Sequence, residues 1–453
     1  MRSLRAALWA AGSLLCQMLA GVGPAWALPD RPAALDAPRA EAAAAFIGSL
    51  NGLEQRLFDD AADGRLDDHS LLAAALIAAG VDDAETLRRY EDRAAALARE
   101  LTDSAKPAGS PQAQAERVFE FLHRRVLREG YRIEATDLRT VLDEGRFNCV
   151  SATVLFNSLA EACGLTTCGL ETPGHAMSRV RLAEGALDVE TTCPRWFRLI
   201  GDPKQQAEHV EKTLGRQPAA DRGALREVSP VELTAMIYYN RGVDLLGEKR
   251  FDAAAAANAK ALRLDPQSKT ARGNLLATIN NWAIVEGTTQ HYEQAVGLLR
   301  RGLAIEPSYE TFVLNFVHVC HQWSLDLCLS GRYEPALEML RGAAAEHPQQ
   351  AYLRQAAYDV YRRWARERFD ARDYDRAVAV LDQARREFAQ ARSWLEAEAA
   401  ELQAWAAGLV ERGQYEAAVG VYDLGLARQP DAAALRAGRQ AAVQQWTVAA
   451  RGR

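Results

Sequence analysis

The sequence is short of the features that mark several function classes. Methionine occurs 5 times, cysteine 7 and histidine 8 in 453 residues. So few cysteines in so long a chain exclude a disulfide-stapled scaffold. Positive charge is not in excess. The 54 Lys and Arg face 60 Asp and Glu, leaving a net charge of -6, and no basic run is interleaved with aromatics. Both facts argue against a nucleic-acid partner held by bulk electrostatics. No phosphate-cradling glycine loop and no zinc-type His/Cys spacing occurs, so neither a cofactor nor a metal is expected. Beyond residue 27 no apolar run approaches the ~18 residues of a membrane helix, so the mature chain is expected to have no membrane span. What remains is a globular composition, 49% hydrophobic and 25% charged, too long for a single core.

The first 27 residues have the pattern of an export signal. Arg2 and Arg5 form a basic start, 6–20 is apolar, and Ala25-Trp26-Ala27 is a small-x-small cleavage site. Cys16 follows Ser13-Leu14-Leu15, whose bulky Leu15 does not suit lipidation. Cleavage near Ala27 implies an exported protein, periplasmic or secreted. Six cysteines stay in the mature chain: Cys149, Cys163, Cys168, Cys193, Cys320 and Cys328. Cys320 and Cys328 sit ~12 Å apart on one expected helix, too far to bridge. A bridge among Cys163, Cys168 and Cys193 stays open. The run His318-Val319-Cys320-His321 matches no metal spacing and reads as packing.

The second half repeats. The motif aromatic-acid-x-Ala begins at Phe251, Tyr292, Tyr333, Tyr374 and Tyr415, 41 residues apart each time. Trp282, Trp323, Trp364, Trp405 and Trp446 keep the same interval, as do Tyr238, Ile279, Cys320, Tyr361, Leu402 and Val443. Three columns in one register specify a solenoid of helical hairpins, its recurring rings and alanines forming the core. Gly331-Arg332 and Gly413-Gln414 mark turns inside hairpins. Pro266, Pro307, Pro348 and Pro430 end second helices, with Ala389 at the equivalent place in the fourth unit. In Gly242, Phe251, Ala254, Ala261 and Pro266 the first unit resembles the tetratricopeptide repeat. That unit has ~34 residues, so the excess falls in the longer first helix. The array occupies 231–453 as five repeats plus a C-terminal cap. By that resemblance, its concave face holds a protein or peptide partner.

The first half carries the chemistry. A helical region at 28–105 is broken near Asp63-Gly64 and Gly80-Val81, and 106–111 reads as a linker. A helix over 112–129 buries Val118, Phe121, Leu122 and Val126; His123 on it reads as surface or packing. Asn148 suits an N-cap, placing Cys149 in the first turn of the next helix, where the dipole and unpaired N–H groups favour a thiolate and an oxyanion. Three β-like runs follow at 166–171, 175–182 and 187–192. His175, after Pro173-Gly174, stands at a strand tip as a candidate base. Asp188 and Glu190 compete for the acid that orients it. They share a strand face, and a hairpin loop Ala183-Glu184-Gly185 brings Glu190 nearer, so Glu190 is preferred and Asp188 is the alternative.

Asn148-Cys149-Val150-Ser151, Pro173-Gly174-His175 and Val189-Glu190-Thr191-Thr192 together resemble the transglutaminase-like superfamily, rearranged relatives of papain-like thiol proteases. The resemblance covers about 112–200. It implies a Cys-His-acid site, with Glu190 at the position where many members have Asp, in an α+β domain at 106–230 built from helices, a cysteine at a helix N-terminus and a small antiparallel sheet. Two functions follow as expectations: an exported enzyme acting on amide or peptide bonds by hydrolysis or acyl transfer, or a non-catalytic protein-binding scaffold in which this module is structural.

Overall fold

A computed structural model describes residues 34–103, 109–172, 174–202, 204–205, 208, 225–388 and 392–451. The expected leader, half of the linker, Pro173 and Ala389 lie outside them. The chain forms two compact units, Met1–Trp282 with Arg301–Pro307, and Ala283–Arg300 with Ser308–Arg453.

In the first unit, helix Cys149–Ala162 is central, and eleven of its residues are buried. Helices Pro111–Arg125, Leu71–Ala78 and Pro230–Gly247 pack around it. Leu71–Ala78 is apolar on every side and buried throughout, as a helix inside a core must be. The sheet is antiparallel in the order β3-β2-β1-β4, with β1 Thr167–Thr172, β2 His175–Arg181, β3 Ala186–Val189 and β4 Arg226–Val228. Three strands lie within about a residue of the expected runs at their starts, although β3 stops at Val189. The fourth strand is a three-residue edge without an alternating pattern, and it was not expected. Gly169 on β1 lets β4 approach: a Cβ there would stand 2.5 Å from the Val228 side chain.

Packing runs continuously from the sheet into the repeats. Ser229 follows β4 directly and caps helix Pro230–Gly247 in a capping box with Glu232. Arg226 of β4 bonds Glu171 on β1 at 2.7 Å, Glu232 at 3.0 Å, and Asp265 at the end of the first hairpin. Sheet and first hairpin therefore share one unit.

The hairpins obey the sequence clock. First helices begin at Lys269, Glu310, Ala351, Arg392 and Ala433, second helices at Phe251, Tyr292, Tyr333, Tyr374 and Tyr415. The first helices are mostly 20 residues long against 14 or 15 for the second, which locates the extra length of the unit. Helices ending at Leu264, Ile305, Glu346 and Arg428 each stop two residues before a proline. Ala254, Ala295, Ala336, Ala377 and Ala418 are each 0% exposed, so the fourth motif position is where helices meet most closely.

In the second unit the two aromatic columns meet. Tyr292 stacks on Trp323 and Tyr333 on Trp364, with centroids 6.1 and 5.5 Å apart. Their hydroxyls donate to Asp326 and Glu367, each at 2.6 Å. A ladder of ion pairs runs beside them, Arg300–Glu346, Arg341–Glu387 and then Asp382–Arg428, the last with its charges exchanged.

One backbone feature recurs with the same period. Gly331 and Gly413 are left-handed at φ 70° and 71°, and so are Lys249, Gln290 and Arg372 at 60°, 67° and 62°. After each, an N–H donates to the carbonyl five residues earlier at 2.8–2.9 Å, closing the first helix. A Cβ in this conformation costs ~1 kcal/mol. Lys249→Gly, Gln290→Gly and Arg372→Gly should therefore each raise stability by about 0.5–1 kcal/mol, and Gly331→Ala should lower it by about 1 kcal/mol. Urea denaturation followed by circular dichroism measures both, and a loss of stability in the glycine variants would refute the assignment.

Candidate active site

The cap at Asn148 places Cys149. Its carboxamide oxygen accepts the Val150 and Ser151 N–H groups at 3.0 Å, and the Ser151 hydroxyl accepts the Asn148 N–H at 3.0 Å. The same two side chains hold the preceding loop. Asn148 donates to the Ile133 carbonyl at 3.0 Å and Thr136 at 2.5 Å, and Ser151 donates to the Ala135 carbonyl at 2.8 Å. Cys149 is thus the first helical residue, 8% exposed. Because Asn148 occupies the next two N–H groups, the Cys149 N–H is the one left without a partner among the described residues.

His175 opens β2 and pairs in register with Thr172 across the turn at Gly174, where φ is 75°. Its Nε2 lies 2.6 Å from Glu190 Oε2, with side-chain exposures of 8% and 4%. Glu190 Oε1 accepts the Thr192 N–H at 2.9 Å and hydroxyl at 2.6 Å. Burial opposes charge on this carboxylate. The bonds from His175 and Thr192 outweigh it and hold Glu190 below the usual carboxylate range. Burial likewise opposes charge on His175, yet interactions with Cys149 and Glu190 prevail and raise the imidazole to about 10. Nδ1 is buried and makes no hydrogen bond of good geometry, while the nearby Cys149 thiol helps raise the imidazole, first as a hydrogen-bonding neighbour and then through its charge.

The structure brings Cys149, His175 and Glu190 together and leaves Asp188 elsewhere. Asp188 faces Arg179 across the β2–β3 pair and receives two bonds from it, at 2.6 and 2.8 Å. The two acids part because β3 ends at Val189 and Glu190 begins a turn closed by the Cys193 N–H at 3.3 Å. The hairpin is also one residue tighter than expected: Arg181 pairs with Ala186, and the Leu182 N–H reaches the Gly185 carbonyl.

Two neighbours take on contacts that the sequence did not assign them. Tyr131 sits in the loop held by Asn148, its ring edge-on to Phe147; burial first, then Cys149 and Glu190, raise its phenol above the ordinary range. His123, read as surface or packing, is a packing residue. Its Nε2 lies 3.0 Å from the Thr191 carbonyl, its ring packs on Phe119 at 4.5 Å, and burial pushes its pKa down to about 4. As a neutral ring it donates to that carbonyl, and Thr153 meets the Thr191 hydroxyl at 3.0 Å, so the strand exit carrying Glu190 is pinned twice. A lone His or Tyr has no periodic signal to reveal such a role.

Cys163, Cys168, Cys193, Cys320 and Cys328 are free thiols, so the bridge left open among the first three is not formed. Among the described residues no His/Cys/Asp/Glu group could hold a metal ion, and no helix is long and apolar enough to cross a membrane.

No family model matches this chain, and no curated protein matches it. Similar solved structures include a thermophilic TPR protein from Thermus thermophilus, at 22% identity over 46% of this chain and 99% of that one, TM-score 0.16. YrrB, a TPR protein with an unusual peptide-binding site, follows at 14% identity over 46% and 92%, TM-score 0.16. The TPR domain of P58(IPK) is 12% identical over 88% and 94%, TM-score 0.18. Scores this low carry no argument. The helical hairpins rest on the coordinates themselves.

His123 makes a pH-dependent contribution to stability. Unfolded, it takes up a proton near 6.5; folded, only near 4. Between those values the unfolded state binds more protons, so stability rises with pH and is lost as pH falls through the folded value. His123→Phe should remove about one proton from that slope, ~1.4 kcal/mol per pH unit. Denaturation midpoints from pH 4 to 6.5 test this, and an unchanged slope would contradict it.

Proposed function

We propose that this chain is a transglutaminase-like thiol enzyme acting on amide or peptide bonds, with its hairpin array holding a protein partner. One observation carries the reading: a buried imidazole is bonded to a buried carboxylate on one side and faces a cysteine at a helix N-terminus on the other. The leader pattern at 1–27 supports an exported site of action.

The geometry supports the following sequence. The Cys149 thiolate attacks a carbonyl carbon, and the carbonyl electron pair moves onto oxygen, toward the Cys149 N–H. Collapse breaks the carbon–nitrogen bond, and His175 gives its Nδ1 proton to the departing amine. A thioester remains. Water or a second amine then attacks it, His175 accepts the incoming proton, and the thiolate leaves. Glu190 stays ionised, fixes the ring by Nε2 and stabilises the imidazolium. The scaffold reading is favoured by one fact, the 8% exposure of Cys149, and reactivity decides between the two.

The test is alkylation by iodoacetamide at pH 7, read by mass spectrometry on the Cys149 peptide. His175→Ala and Glu190→Gln should slow it at least tenfold, an order-of-magnitude expectation for losing the activating base or its orienter (~10–10² or more). Asp188→Asn, which disturbs only the Arg179 pair, should leave the rate within about twofold. Equal rates in wild type and His175→Ala would favour the scaffold.

A further inference from the structure

In the second unit an open crevice of about 500 Å³ lies between helices Tyr333–Glu346 and Tyr374–Phe388, over helix Ala351–Asp370. Small-ligand sites typically occupy ~300–1,000 Å³. Its floor is formed by two buried side chains, Leu337 and Tyr361. Arg341 donates to Glu387 at 2.8 Å and to the Tyr361 hydroxyl at 2.5 Å, and that hydroxyl donates to Glu387 at 2.9 Å. These three polar groups satisfy one another. The rim is different. Glu334, Gln383 and Arg386 line the same crevice and are exposed, and none of their side chains bonds or ion-pairs with a described residue. An unpaired carboxylate and an unpaired guanidinium therefore border one void from two different helices.

The 41-residue period separates what is general in this lining from what is particular to it. The Arg341–Glu387 rung repeats Arg300–Glu346, and an acid recurs at Glu293, Glu334 and Asp375. Tyr361, Gln383 and Arg386 do not recur. One period earlier the chain has Cys320, Gly342 and Ala345, and one period later Leu402, Leu424 and Ala427. Scaffold roles repeat in such an array, so polar groups confined to a single unit mark what that unit does alone. In both neighbouring units two acids accompany one base at these positions, Glu293 and Glu346 with Arg300, then Asp375 and Asp382 with Arg428. Arg386 balances the charge here and leaves one group of each sign unanswered.

We propose that this crevice binds a small zwitterion of the dipeptide class, with the carboxylate on Arg386 and Gln383, the ammonium on Glu334, and the carbon skeleton over Leu337 and Tyr361. A ligand of one charge would crowd either Glu334 or Arg386 without pairing it, whereas a zwitterion gives both a charge-assisted hydrogen bond. The two ends of a dipeptide stand ~7 Å apart when extended, which suits charges on separate helices that do not pair with each other. The proposal does not depend on Cys149 being reactive.

Isothermal titration calorimetry of the full chain with L-alanyl-L-alanine at pH 7 tests it, and saturable binding is expected. N-acetylation of the dipeptide removes its positive charge and C-amidation its negative one. Each should weaken binding about tenfold or more, the loss of one charged hydrogen bond. Arg386→Ala should weaken the dipeptide equally while leaving the C-amidated form unchanged, and Glu334→Gln should do the same with the N-acetylated form as its control. Arg376→Ala, on the same helix as Arg386 but outside the crevice, should change nothing. Both rim side chains are exposed, so unchanged melting by circular dichroism is expected of their variants. No saturable binding to wild type, equal affinity for the dipeptide and its capped forms, or undiminished affinity in Arg386→Ala overturns the proposal.

Discussion

A carboxylate and an imidazole 2.6 Å apart, both nearly sealed from water, are the pair around which the first unit is arranged. Burying either group alone would cost several kcal/mol (~3–5 when one partner of a buried pair is lost). Each therefore needs its remaining capacity filled. Thr192 fills the second oxygen of Glu190 through both its N–H and its hydroxyl. His123 and Thr153 then hold Thr191, so the turn leaving β3 cannot swing the carboxylate away. On the far side of the ring, Nδ1 makes no hydrogen bond of good geometry, and Cys149 is the neighbour that helps raise the imidazole from there. The pair is thus satisfied at every atom but Nδ1.

A second constraint governs the array. Each hairpin must close its first helix and present a small residue where the helices meet. The left-handed position at 249, 290, 331, 372 and 413 does the first, and the alanine at 254, 295, 336, 377 and 418 does the second. Three of the five left-handed positions carry Lys, Gln or Arg rather than Gly, so the closure tolerates local strain and is enforced by the tyrosine–tryptophan stacks and ion pairs that follow. The exchanged charges of Asp382 and Arg428 preserve the rung while reversing its polarity. Complementarity across the hairpins is what that position requires, not a particular sign.

Repetition made the array legible in the sequence. An alanine or tryptophan returning every 41 residues exposes its role by recurrence, whereas one such residue alone would mean little. Cys149 and His175 were legible for another reason, because a cap and a turn are local chemistry. The choice between Asp188 and Glu190 was legible only as a preference for Glu190 from the hairpin register, not in its cause. It depends on where β3 ends, and strand ends are set by tertiary contacts that leave no local mark. The particular contacts of Tyr131 and His123 escaped for the same reason: each meets a segment far from it in the chain. The edge strand Arg226–Val228 is too short to show a period.

The continuity between sheet and hairpin bears on what the reactive module is. About ninety residues, 112–200, contain Cys149, His175 and Glu190, but they do not contain the strand that borders β1 or the helix that packs on the Cys149 helix. Both come from 226–247, and the bond from Arg226 to Asp265 extends the dependence to the end of the first hairpin. Adjacent residues on a helix point ~100° apart, which lets a single turn send Tyr238 into the Glu54–Lys260 cluster while Tyr239 keeps part of its surface exposed. The same turn thus ties the first hairpin to helix Gly52–Asp60.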